Sequence, residues 1–345
     1  MAARAFIAGI AGTILSDRER AFFREAEPWG LIVFKRNIAT PEQVRRLTDS
    51  FRAAVGRADA PVLVDQEGGR VQRLGPPHWP AYPTGADYGR LYDRDAKEGL
   101  AAARLGARLI AGDLAAVGID VDCWPLADVP VAGADAVIGE RAFGTDPAKV
   151  SAIAAAVAEG LREGGVLPVV KHIPGHGRAM ADSHRELPIV TADRASLDAT
   201  DFRAFRPLAG LPLAMTAHVV FTAIDPVTPA TTSVTIVREV IRGSIGFNGV
   251  LMTDDISMEA LTGDMRARSR AAIAAGCDVV LHCNGRFDEM YAVAEAVPPL
   301  AGAAERRVAA ALAWRQPGPE IDIAEARRRF AAMMAQARAD EAVRS

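Results

Sequence analysis

Three of the chain's six histidines fall in one segment, Lys171-His172-Ile173-Pro174-Gly175-His176-Gly177, which runs on to Asp182-Ser183-His184. A histidine two residues after an aspartate, on a glycine-containing loop, can be oriented and made more basic by that carboxylate. With an unperturbed pKa of about 6.5, His184 could give and take a proton near neutral pH. The plainer reading of Asp182 and His184 is a surface pair; that of His176 is a loop-bracing hydrogen-bond group. His172, His176, Asp182 and His184 could also be metal ligands. Pro174, Gly175 and Gly177 break the helix that would set an i, i+4 histidine pair on one face, so no metal is expected.

A second cluster follows an apolar run: Gly249-Val250-Leu251-Met252-Thr253-Asp254-Asp255. Successive side chains alternate along a strand, so only one of the two acids can face inward while the backbone stays extended. Asp254 is the candidate nucleophile, and Asp255 is expected to cap a helix beginning near Ser257. Val64-Asp65-Gln66-Glu67-Gly68-Gly69-Arg70-Val71-Gln72-Arg73 gives a strand end and a tight turn with two arginines, and Ile138 to Gly144 brings Arg141 into a glycine-framed loop. Carboxylate and guanidinium groups together suit ligands rich in hydroxyls, which they hold through paired hydrogen bonds.

These residues need a scaffold that brings distant segments together. Short apolar runs at 31–34, 61–64, 119–123, 167–170, 211–217, 250–253 and 279–281 read as strands buried on both faces. Ala-rich stretches of helical spacing lie between them, among them 97–117, 147–163, 234–242, 269–275 and 286–297, and this alternation favours a parallel sheet. Polar residues sit just past the strands: Asp65, Asp128, Lys171 with His172, His218, Asp254 and Asn284. Chemistry from so many strand ends points to a single α/β (β/α)8 TIM-type barrel, ahead of a doubly wound sheet with one switch point. The barrel is expected over 1–320, with 321–345 an amphipathic C-terminal helix packed on it. Gly75 to Pro83 and Gly175 to Pro188 read as loops over the mouth, with Gly175 and Gly177 as hinges.

Composition closes off other classes. At 345 residues, 50% hydrophobic and 24% charged, the chain is too apolar to be mainly disordered. Forty basic against forty-three acidic residues, with no basic patch, exclude nucleic acid as an expected partner. Cys123, Cys277 and Cys283 read as buried thiols of a reducing compartment. The first apolar segment is read as a buried strand rather than a signal peptide, because Gly9 and Gly12 interrupt it. No apolar run approaches the roughly 20 residues of a membrane span. The expectation is a cytoplasmic monomer with no cofactor and no membrane partner.

Taken together, Asp65 to Arg73, Lys171 to Gly177, Asp182 to His184 and Thr253 to Met258 resemble glycoside hydrolase family 3, and within it the bacterial β-N-acetylglucosaminidases (β-N-acetylhexosaminidases) of peptidoglycan recycling. Order and spacing match from about Ala5 to Val297. Two positions depart: Ile173 stands where the family usually has Phe, and Thr253 where it usually has Ser. The resemblance implies that Asp254 is the nucleophile, that His184 polarised by Asp182 is the general acid/base, and that Asp65, Arg73, Arg141, Lys171 and His172 contact substrate. It further implies a retaining double displacement releasing GlcNAc from a small saccharide or muropeptide, GlcNAc-1,6-anhydro-N-acetylmuramic acid and its peptide forms. Other branches act on glucosides, xylosides or arabinosides and mostly carry a second domain, for which the chain is expected to be too short. A phosphorylase, and a catalytically silent muropeptide sensor, are the alternatives.

Overall fold

Eight apolar segments pair side by side, all parallel, and close on themselves. They are β1 (Arg4–Ala8), β2 (Pro28–Val33), β3 (Val62–Val64), β4 (Val121–Asp122), β5 (Leu167–Ile173), β6 (Leu213–Thr216), β7 (Val250–Asp255) and β8 (Val279–His282). β1 completes the ring by pairing with both β2 and β8. The fold is thus the (β/α)8 barrel expected from the strand–helix alternation, and the first apolar segment is a barrel strand. The computed structural model describes residues 3–183 and 186–339.

Every residue of β2 and of β5 is buried, as strands covered on both faces require. Helices surround the ring, and their starts are written in the sequence. Ser16 and Glu19 form a capping box for Asp17–Ala26, Thr40 caps Pro41–Val55, and Asp146 caps Pro147–Glu163, the last two with proline in the first turn. The segment expected as a helix over 234–242 forms wide π-type turns over Ile236–Ser244. Beyond β8, the helix Ile323–Ala339 lays Phe330 and Met334 against the protein. The Phe330 ring lies 6.3 Å from that of Tyr88 and 6.4 Å from that of Tyr82, and Arg327 bonds Asp113 at 2.6 Å. Among the described residues no helix is long and apolar enough to cross a membrane.

Two strands are irregular where they matter. The register of β5 on β6 shifts between Val170 and Ile173, and that of β7 on β8 between Met252 and Asp255. Strict alternation therefore breaks at Lys171-His172 and at Asp254-Asp255, both at the carboxyl mouth of the barrel.

Candidate active site

After β3 the chain makes a small hairpin, Gln66–Gly68 against Val71–Gln72. The turn requires glycine twice, at φ +92° for Gly68 and +55° for Gly69, and a Cβ on Gly68 would lie 2.1 Å from the Pro83 carbonyl oxygen. The Gln66 side chain ties the return: its Oε1 accepts from the backbone N–H of Arg73 and Leu74, and its Nε2 donates to the Leu74 carbonyl. The hairpin thereby presents Asp65, Glu67 and Arg73 on one side.

There they meet Lys171. Its Nζ lies 2.8 Å from Asp65 and 2.6 Å from Glu67, with the side chain 2% exposed. Arg73 donates to Asp65 at 3.0 Å, and Arg141 grips Glu67 with two bonds of 2.9 and 2.8 Å. Burial opposes ionisation of both acids, yet the neighbouring cations win. Lys171 and Arg73 hold Asp65, and Arg141 and Lys171 hold Glu67, below the usual carboxylate range. Lys171 is pushed up, against its own burial, by Asp65 and Glu67.

A second chain of contacts runs along β5. Asp128, fully buried, accepts from the His172 ring at Nδ1 (2.7 Å) and from the backbone N–H of His172 and His176. Despite its burial, the histidine contacts hold Asp128 below its ordinary value. The other His172 nitrogen, Nε2, stands 4.0 Å from Asp254 Oδ2. Asp254 Oδ1 accepts from the Asp255 backbone N–H at 2.8 Å. A cleft of about 160 Å³ opens between these groups, and Asp65, Arg73, Arg141, Lys171, His172 and Asp254 all line it.

The loop that leaves β5 is anchored at its root. Arg178 bonds Asp201 at 2.6 Å and the Gly177 carbonyl accepts from Val131. Gly177 leaves no room for a Cβ, which would lie 2.2 Å from the Val129 carbonyl, so close packing against the 129–130 backbone explains this glycine better than a hinge. Further along, His176 Nε2 meets Ser183 Oγ at 3.0 Å. Asp182 is half-buried on this loop, and its carbonyl accepts from Glu186. His184 lies outside the described residues.

Residues 14–313 match the glycosyl hydrolase family 3 N terminal domain. The chain belongs to glycosyl hydrolase family 3. A beta-hexosaminidase of Alkalilimnicola ehrlichii is 42% identical over 280 residues, 80% of this chain and 79% of the relative. One of Pseudomonas aeruginosa (strain LESB58) is 40% identical over 290 residues, 83% and 84% of the two chains. The crystal structure of NagZ from Neisseria gonorrhoeae in complex with N-trifluoroacetyl-D-glucosamine shares the fold at a TM-score of 0.83 and 31% identity, over 98% of each chain.

On this family 3 barrel the five residues expected to contact substrate and the expected nucleophile share one cleft, although they come from strands β5 and β7 and from the segments that follow β3 and β4. One local expectation needs correction. Asp255 caps no helix at Ser257: it holds the Ser257 N–H and hydroxyl and the Cys283 N–H, joining a turn after β7 to the end of β8. The next helix, Met265–Ala275, is capped by Asp264. Two groups that complete the site were not assigned from sequence. Glu67 carried a usable signal, since Asp65 and Glu67 are two apart and share a face of an extended chain. Asp128 was visible only as a polar residue past a strand, because its partners lie 44 and 48 residues away.

Proposed function

We propose that this family 3 chain is an exo-acting, retaining β-N-acetylglucosaminidase that releases GlcNAc from GlcNAc-1,6-anhydro-N-acetylmuramic acid and its peptide-bearing forms during cytoplasmic cell-wall recycling. Asp254 attacks the anomeric carbon; the new C–O bond forms as the glycosidic C–O bond breaks, and His184, polarised by Asp182, passes its proton to the departing oxygen. Water then attacks the glycosyl ester, His184 takes its proton, and GlcNAc leaves with its configuration retained. Asp65, Arg73, Arg141, Lys171 and His172 bind the sugar.

The observation that carries the reading is the placement of Asp254 in a small cleft, 4.0 Å from His172, beside acids and bases already fixed to one another. Donors and acceptors fixed before substrate arrives suit a neutral polyol, which brings no charge of its own to organise them. The sugar is supported by the relatives named beta-hexosaminidase and by the N-trifluoroacetyl-D-glucosamine held by NagZ.

Turnover of p-nitrophenyl β-N-acetylglucosaminide tests it. Asp254→Asn is expected to lower kcat/KM by at least about a thousandfold. A 5-fluoro glycosyl fluoride should leave its label on the peptide containing Asp254. A label elsewhere would overturn the nucleophile, and sugar 1-phosphate as the main product in phosphate buffer would make the chain a phosphorylase.

A further inference from the structure

We infer that His176 is a positioning residue for proton transfer: through Ser183 it fixes the loop at Asp182, the residue that the proposed function has polarise His184. This rests on the acid/base reading above. Taken alone, His176 looks like a group that merely braces a loop, but its contacts are specific.

His176 and Ser183 are both 3% exposed, and their side chains meet at 3.0 Å. Ser183 stands between Asp182 and His184 in the sequence. Either tautomer of a neutral imidazole can make this bond, because a serine hydroxyl both donates and accepts. Burial and the neighbouring His172 bring the His176 pKa down to about 4, so the ring stays neutral at working pH.

The other end of His176 is tied to the nucleophile's surroundings. Its backbone N–H donates to Asp128 Oδ1 at 2.7 Å, while Asp128 Oδ2 holds the His172 ring, whose far nitrogen faces Asp254. One buried carboxylate therefore fixes both the ring beside Asp254 and the residue that grips the loop. Between Met180, 64% exposed, and Glu186, also exposed, the His176–Ser183 bond is a buried side-chain tether among the described residues. Proton transfer in the transition state is sensitive to displacements of about 1 Å, so a tether one residue from both members of the proposed pair bears directly on that step.

Leaving-group dependence reads this role. A 2,4-dinitrophenolate departs without a proton, whereas a methyl glycoside needs one, and kcat/KM reports the bond-breaking step for both. His176→Phe and Ser183→Ala are each expected to lower kcat/KM on methyl β-N-acetylglucosaminide by about 10- to 100-fold. On the dinitrophenyl glycoside they should change it by less than about threefold, and the double variant should be no worse than the more impaired single. Asp182→Asn serves as the reference for a damaged proton donor. If Asp182→Asn shows leaving-group dependence and the other two do not, the tether is overturned while the acid/base reading stands. Equal loss on both glycosides would likewise reduce His176 to a brace. If Asp182→Asn shows none, the acid/base reading falls. Ser183→Ala removes a single oxygen, so it answers the question even if His176→Phe folds poorly.

Discussion

Glutamine in place of Glu67 asks whether the floor of the cleft is held by charge or by shape. Glu67 is 3% exposed and takes three contacts, at 2.6 Å from Lys171 and at 2.8 and 2.9 Å from Arg141. With Asp65 it balances Lys171, Arg73 and Arg141, so the variant leaves one carboxylate among three cations. Removing one partner of a buried ion pair costs about 3–5 kcal/mol, and the retained carbonyl acceptor of glutamine argues for the lower end, about 3 kcal/mol. For a chain of 345 residues that is a fall in Tm of roughly 4 °C. Arg141 and Lys171 also lose their fixed directions. At about 1.4 kcal/mol for each loosened charged hydrogen bond, kcat/KM should fall about a hundredfold.

Denaturant melts and aryl-glycoside kinetics measure both effects, and a cycle with Arg141→Gln supplies the check. The double variant restores charge balance, so its destabilisation should be smaller than the sum of the singles by about 1.5 kcal/mol. The sign with pH is fixed as well. Glu67 lies below its ordinary 4.5 in the folded protein, so its contribution is present above that value and is lost as pH falls through the folded one. Wild type and Glu67→Gln should converge in stability in acid. Additive singles, or a variant within about 0.5 kcal/mol of wild type at pH 7, would refute the charge argument.

The buried His176 gives a second acid dependence. With 6.5 unfolded and about 4 folded, its stabilisation is complete above pH 6.5 and is lost on acidification toward 4, a span of about 3 kcal/mol; melts of His176→Gln across that window should be flatter by this amount. Gly177→Ala should cost about 2–3 kcal/mol, since its Cβ would lie 2.2 Å from the Val129 backbone, whereas Gly210→Ala, with nothing within 4 Å, should stay within about 0.5 kcal/mol in the same denaturation assay. Phe330→Ala is expected to cost about 3–5 kcal/mol, and a loss under 1 kcal/mol would show that the helix Ile323–Ala339 adds little to the fold.

What the sequence disclosed, and what it hid, follows from the range of each interaction. A parallel strand buried on both faces must be apolar along its length, so the first polar residue after the run marks its carboxyl end; that places Asp65, Lys171 and Asp254 at one mouth from the sequence alone. The irregular turns that follow are set by tertiary packing, and there local rules erred. Asp255 looked like a helix cap because it stands just ahead of Ser257, where a helix was expected, but its carboxylate is claimed by the Cys283 N–H at the end of the neighbouring strand β8, and the helix waits until Met265. Lys171 and His172 were both expected at the site; strict alternation would set adjacent side chains on opposite faces, and the register shift on β5 lets both line the cleft. Glu67 was readable in principle from its spacing to Asp65. Asp128 was not, since nothing local to it names His172 or His176 as its partner. The least legible residue thus governs the geometry of the most legible ones: losing the Asp128 carboxylate would release the ring beside Asp254 and the root of the loop that carries Asp182 together, although Asp128 does not itself line the cleft.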